Sequence, residues 1–159
     1  MIRNTKPAKK LIVHTDGGHV RDREINSRSF EAVVSVVYRP ENLVQKDKNH
    51  QSILDKTCVA SCKDDGLKTS KRFLHYAALK QGLTKETKIT AFADGAKNCW
   101  SIINVLKPHC SELECVLDWF HIGEKFQNTI GVLPEEYEET LLHIKWCVWH
   151  NDANEALSR

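Results

Sequence analysis

The apolar positions of this chain change period partway along its 159 residues. Leu11-Ile-Val-His-Thr-Asp16 is a short β-prone run, and Gly17-Gly18 is expected to break it. Phe30 to Tyr38 is β-branched and long enough for a second strand, closed by Pro40. Glu41 to Lys56 is polar and reads as a loop or hairpin extension; Thr57 to Ser61 reads as a third strand. From Ser70, a residue type suited to a helix N-cap, the spacing turns helical. Leu74, Ala77 and Ala78 mark one face, which Gly82 ends. Lys88 to Asp94 is a fourth strand. Cys99, Ile102, Ile103 and Leu106 recur at i, i+3, i+4 and i+7, the period of a helix, which Pro108 ends. Leu113 to Asp118 is a fifth strand. Ile122, Phe126, Ile130 and Leu133 mark another helix, and Pro134-Glu135-Glu136 opens the next, whose face is Tyr137, Leu141, Ile144 and Val148. A last helix begins near Asp152, with Glu155 three residues on as in a capping box.

Three strands, helix, strand, helix, strand, helix is the order of an α/β, ribonuclease-H-like domain. The expected sheet is mixed and five-stranded, in the order 3-2-1-4-5, flanked by helices and followed by a C-terminal helical extension. The organisation expected is a basic segment over residues 1–10, a core over 11–133 and a helical extension over 134–159.

In such a sheet strands one, four and five run parallel, and their C-terminal ends share the edge where ligands bind. Asp16, Asp94 and Asp118 fall at those ends. One aspartate alone is explained by a turn or a cap. Three at one edge repel unless a cation joins them, and oxygen-only ligands suit Mg²⁺ or Mn²⁺. Two such ions can activate a water or a 3′-hydroxyl and stabilise the leaving oxygen of a phosphodiester. His121, three residues after Asp118, is placed to orient a carboxylate or meet a phosphate, with local capping or packing as its ordinary role. Trp119 and Phe120 read as core, and His14 and His19 as packing or surface residues.

Composition narrows the field. With 41% hydrophobic and 28% charged residues the chain has the make-up of a folded domain. Its apolar runs are far short of a membrane span, and Met1 to Lys10 lacks the apolar stretch of a secretory signal, so a cytoplasmic location is expected. The six cysteines then read as free, internal thiols, and the Cys58/Cys62 and Cys110/Cys115 spacings are looser than a structural zinc site. A net charge of +2 neither requires nor forbids nucleic acid, although Arg3, Lys6, Lys9, Lys10, Arg21, Arg23 and Arg28 gather near the first strand. Lys97 and Lys125 are the basic residues placed nearest the aspartates for DNA contact. A phosphatase with Asp16 as nucleophile is disfavoured, because Gly18 stands where such enzymes carry a second acid.

Three segments, HTDGGHVR, FADGAKNCWSIINVL and CVLDWFHIGEKF, together resemble the core of bacterial insertion-sequence transposases of the DDE type. The group resembled is the one related to Mutator-like elements, and KWCVWHNDANEAL is similar to its next segment. The resemblance spans roughly Leu11 to Ser158. It implies Mg²⁺- or Mn²⁺-dependent cleavage of element ends and their joining to target DNA, with no small-molecule cofactor and no membrane, and it admits a homo-oligomer. Asp16 and Asp94 match the first two acids of the family's triad, and Asp118 and His121 match its Asp-x2-His motif. The third acid of the family is a glutamate on a later helix. Glu155 stands in the wrong context for it, so the sequence reads as a fragment with impaired activity, in which Asp118 is the residue available to stand in. A non-catalytic DNA-binding remnant and a ribonuclease-H-like nuclease are the alternatives.

Overall fold

The computed structural model describes residues 5–21, 29–48 and 50–158; Arg3, Arg23 and Arg28 of the basic cluster lie outside them. The strands are β1, Lys10–Arg21; β2, Ser29–Tyr38; β3, Leu43–Gln45; β4, Gln51–Ile53; β5, Lys56–Ser61; β6, Lys88–Ala93; and β7, Glu112–Leu117. The helices are α1, Lys68–Lys80; α2, Lys97–Ile103; α3, Trp119–Ile130; α4, Glu138–Trp149; and α5, Ala153–Leu157. The chain divides into two compact units, Met1–Leu117 and Asp118–Arg159, so α3 begins the second unit rather than closing the first.

The first unit is built on a five-stranded mixed sheet ordered β5-β2-β1-β6-β7. β1 pairs antiparallel with β2 and parallel with β6; β2 pairs antiparallel with β5, and β6 parallel with β7. The numbering departs from the expected 3-2-1-4-5 because a small hairpin, β3 with β4, is inserted ahead of the sheet's third strand in chain order. Its strands are three residues each and contain no buried residue, too short for a hydrophobic period to reveal.

Alternation decides which face is buried. Leu11 and Val13 of β1, Val33 and Val37 of β2, and Ile89, Ala91 and Ala93 of β6 all point to one side. There they pack against Leu74, Ala77 and Ala78 of α1 and Cys99, Ile102 and Ile103 of α2. Each of the Val, Leu and Ile side chains contributes roughly 1.5–3 kcal/mol when fully buried, which outweighs the modest helix propensity of β-branched Ile102 and Ile103.

Several boundaries moved, each for a local reason. Gly17-Gly18 does not end β1: pairing with β2 runs on to Arg21 opposite Ser29, and that ladder carries the strand through both glycines. Ser70 is not the N-cap of α1. The helix starts earlier, and Asp65 accepts hydrogen bonds from the Thr69 amide (3.3 and 3.2 Å to its two oxygens) and from the Thr69 hydroxyl at 2.5 Å. Gly82 does end α1, at φ +94, with the Leu83 amide returning to Ala78 O at 2.9 Å. Pro108 lies inside a 3-10 turn, Asn104–His109, which continues from α2 and keeps Leu106 buried. The basic N-terminal segment is tied down where it is described. Ala8 is buried, its amide donates to Gly82 O at 2.8 Å, and its carbonyl accepts from Thr87 Oγ1 at 2.7 Å.

In the second unit, Trp119 of α3 meets Trp149 of α4 edge-on, with ring centroids 4.7 Å apart. Asp152 caps α5 by accepting from the Glu155 amide at 3.2 Å. Phe120, expected in a core, is 66% exposed, and α3 contains no buried residue. No described helix is long and apolar enough to cross a membrane.

Candidate active-site edge

The parallel ladder between β1 and β6 ends at His14 opposite Phe92, whose rings stack with centroids 4.9 Å apart. His14 also lies 3.2 Å from the Tyr38 hydroxyl through Nε2, a packing role as its sequence position suggested. Two residues farther along each chain stand Asp16 and Asp94. Both therefore lie two residues past the last parallel pair, at the same end of the sheet. Asp16 lies within β1, not at its end; what stops there is its parallel partner.

Each aspartate is oriented by its own backbone. Asp16 Oδ1 accepts from the Gly17 amide at 2.8 Å, and Asp94 Oδ1 accepts from the Ala96 amide at 2.8 Å. The second turn works because Gly95 sits at φ +94, where a side chain is strained, and an added Cβ would lie 3.0 Å from Leu117 Cδ1. α2 then starts at once, putting Cys99 against the edge.

Cys99 reports how the charges gather. It is 1% exposed, and its thiol is pushed up to about 12: first by burial, then by the Asp94 charge and a hydrogen bond to Asp94, then by Asp16 and Glu31. It thus stays protonated at neutral pH and donates to Asp94.

Glu31 is the acid that the strand pattern concealed. It lies on β2 in register with Val33, Ser35 and Val37, all buried, so its side chain points to the helix-bearing face. Asn98 Nδ2 donates to both of its carboxylate oxygens, at 3.2 and 2.9 Å. A Cβ at Gly17 would come within 3.3 Å of Glu31 Oε1 and 3.9 Å of Cys99 Sγ, so glycine keeps this corner open. A charge in the inward register of an otherwise apolar strand is the signal that could have found it.

Asp118 and His121 belong to the second unit. β7 ends at Leu117, and Asp118 is the N-cap of α3, accepting from the Phe120 amide at 3.0 Å. His121 Nδ1 lies 3.4 Å from Glu124 Oε2, and its ring meets Phe120 edge-on. Both residues thus carry local roles within α3. Lys97 and Lys125 are exposed. All six cysteines are free; Cys58, Cys62 and Cys115 are exposed rather than internal, and only Cys99 and Cys147 are buried. Among the described residues, no group of three or more His, Cys, Asp and Glu side chains is gathered so as to hold a metal ion.

Compared with protein-family models, curated proteins and solved structures, the chain finds no match.

Proposed function

We propose that the first unit is a ribonuclease-H-like core derived from a DDE-type insertion-sequence transposase, and that DNA is its partner. The observation that carries this reading is that Asp16 and Asp94 both lie two residues past the last parallel pair of β1 and β6 and that both charges act on the Cys99 thiol. Their donor chemistry suits a hard divalent cation: both offer carboxylate oxygen, and in each one oxygen is anchored by a neighbouring amide. Asp16 and Asp94 would hold Mg²⁺ or Mn²⁺, which when bound would supply charge stabilisation to a phosphodiester under attack. The chain's own contribution is orientation: the Gly17 and Ala96 amides and the Cys99 thiol fix the carboxylates. In the same reading Asp118 and His121 complete the family's motif, Lys97 and Lys125 face phosphates, and the protein works in the cytoplasm as a homo-oligomer.

The absence of a three-ligand group among the described residues makes weak metal affinity and impaired cleavage the expectation. The same observation favours a second reading, a non-catalytic DNA-binding remnant. Nicking of supercoiled plasmid in Mn²⁺ tests between them. Slow nicking, abolished by Asp16→Asn and by Asp94→Asn, is expected of the catalytic core. DNA binding without nicking selects the remnant. Nicking without joining of an oligonucleotide 3′-end selects a nuclease, and nicking that survives both substitutions removes the proposed site.

A further inference from the structure

A cleft of about 550 Å³ opens beside the carboxylate edge, at the same end of the sheet. It is formed by the start of β2, the segment following β5, the first turn of α1 and Asn98 of α2. Its size falls within the roughly 300–1,000 Å³ typical of small-molecule sites. We propose that this cleft is a nucleoside-binding subsite, which takes a base carrying an exocyclic amine on Phe30, Glu31, Ser70 and Asn98.

Ser70 is the first sign of a ligand. It is 9% exposed, it lines the cleft, and its hydroxyl has no hydrogen-bond partner among the described residues. Among the described residues no buried side-chain oxygen lacks a partner, so solvent reaches this hydroxyl and a ligand can pair with it in place of water. The second sign is the Glu31–Asn98 pair. A carboxylate has about four acceptor positions, and Asn98 occupies only two, while Asn98, which also lines the cleft, carries a side-chain oxygen as a further acceptor. The third is Phe30, which lines the cleft and is 37% exposed, offering a ring on which a base can stack.

Charge says which part of a nucleotide belongs here. Among the described residues, Glu31 and Asp64 line the cleft against a single lysine, Lys63. The start of α1 offers no anion site, because the Asp65 carboxylate already takes the Thr69 amide and hydroxyl. The described lining thus favours the amines of adenine, cytosine or guanine, which find acceptors there, over a phosphate; thymine has no exocyclic amine to give.

The subsite also adjoins the proposed catalytic edge. Gly17, the close neighbour of Glu31, follows Asp16, and Asn98 precedes Cys99, whose thiol donates to Asp94. The proposal rests on the nucleic-acid reading above, to which it adds a preference for the base beside the reacting phosphodiester.

The test titrates deoxycytidine and thymidine, neither carrying a phosphate, into the ¹⁵N-labelled full chain. Deoxycytidine should shift the amides of Ser61, Ser70 and Asn98, and thymidine should bind at least about fivefold more weakly. Ser70→Ala and the isosteric Glu31→Gln should each weaken deoxycytidine binding about fivefold with an unchanged thermal midpoint. The absence of shifts at these amides at millimolar nucleoside overturns the proposal, as do equal affinities for the two nucleosides or shifts that neither substitution alters. Plasmid nicking in Mn²⁺ is measured in parallel. Nucleoside binding here without nicking leaves the subsite standing and removes the catalytic reading; nicking without nucleoside binding does the reverse.

Discussion

Cys99 allows the built geometry of the carboxylate edge to be read without any assay of activity. Its thiol is pushed up to about 12 from an ordinary 9.0. At pH 8 an ordinary thiol is about one-tenth thiolate, whereas one at about 12 is roughly one ten-thousandth. Only the thiolate is alkylated, so chemistry alone slows Cys99 about a thousandfold, and its 1% exposure slows it further. Iodoacetamide labelling of the native protein at pH 8, followed residue by residue by mass spectrometry, reads this directly, with exposed Cys58 and Cys62 as internal references. In urea the rates should converge. Asp94→Asn removes the second cause of the shift, the charge, but leaves burial, the largest. It should therefore quicken Cys99 labelling while leaving it well behind Cys58. Native Cys99 labelling within tenfold of Cys58, or a rate that Asp94→Asn does not move, would refute the placement of Asp94 against this thiol.

Two further substitutions test the frame that carries the edge. Gly82→Ala sets a side chain at φ +94 and drives its Cβ onto the Lys6 carbonyl and to 2.6 Å from Arg39 Nη2. Left-handed strain of about 1–2 kcal/mol and displacement of backbone should together cost at least ~2–4 kcal/mol in urea unfolding; a loss under ~1 kcal/mol contradicts the packing described. Asp65 is held below its ordinary 3.8, first by the hydrogen bond from the Thr69 hydroxyl. A depressed carboxyl stabilises the fold above its unfolded value and loses that contribution as pH falls through the folded one. Asp65→Ala should therefore lower the thermal midpoint at neutral pH and narrow the gap to wild type below about pH 3.8, and a gap that is constant with pH defeats the capping argument.

What could be read in the chain divides along physical lines. The inward positions of β1, β2 and β6 and the faces of α1 and α2 were legible because burial repeats with a fixed period, and Leu74, Ala77, Ala78, Ile102 and Ile103 are buried where that period puts them. Element ends were less legible, since they depend on partners remote in sequence. β1 passes through Gly17-Gly18 because β2 pairs with it, and α1 begins ahead of Ser70 because Asp65 caps it.

The sequence by itself determined the order of the five sheet strands and of the helices, the core positions of α1, α2 and the central strands, and the position of Asp16 and Asp94 near strand ends. These follow from local period and residue type. Only the tertiary structure decided that Asp16 and Asp94 both lie two residues past the last β1–β6 pair, that Glu31 turns toward the helix-bearing face beside Asn98, and that Ser70 lines a cleft. It also decided that Asp118 caps a helix of the second unit. Register and close approach come from pairing between distant segments, and no local pattern encodes them.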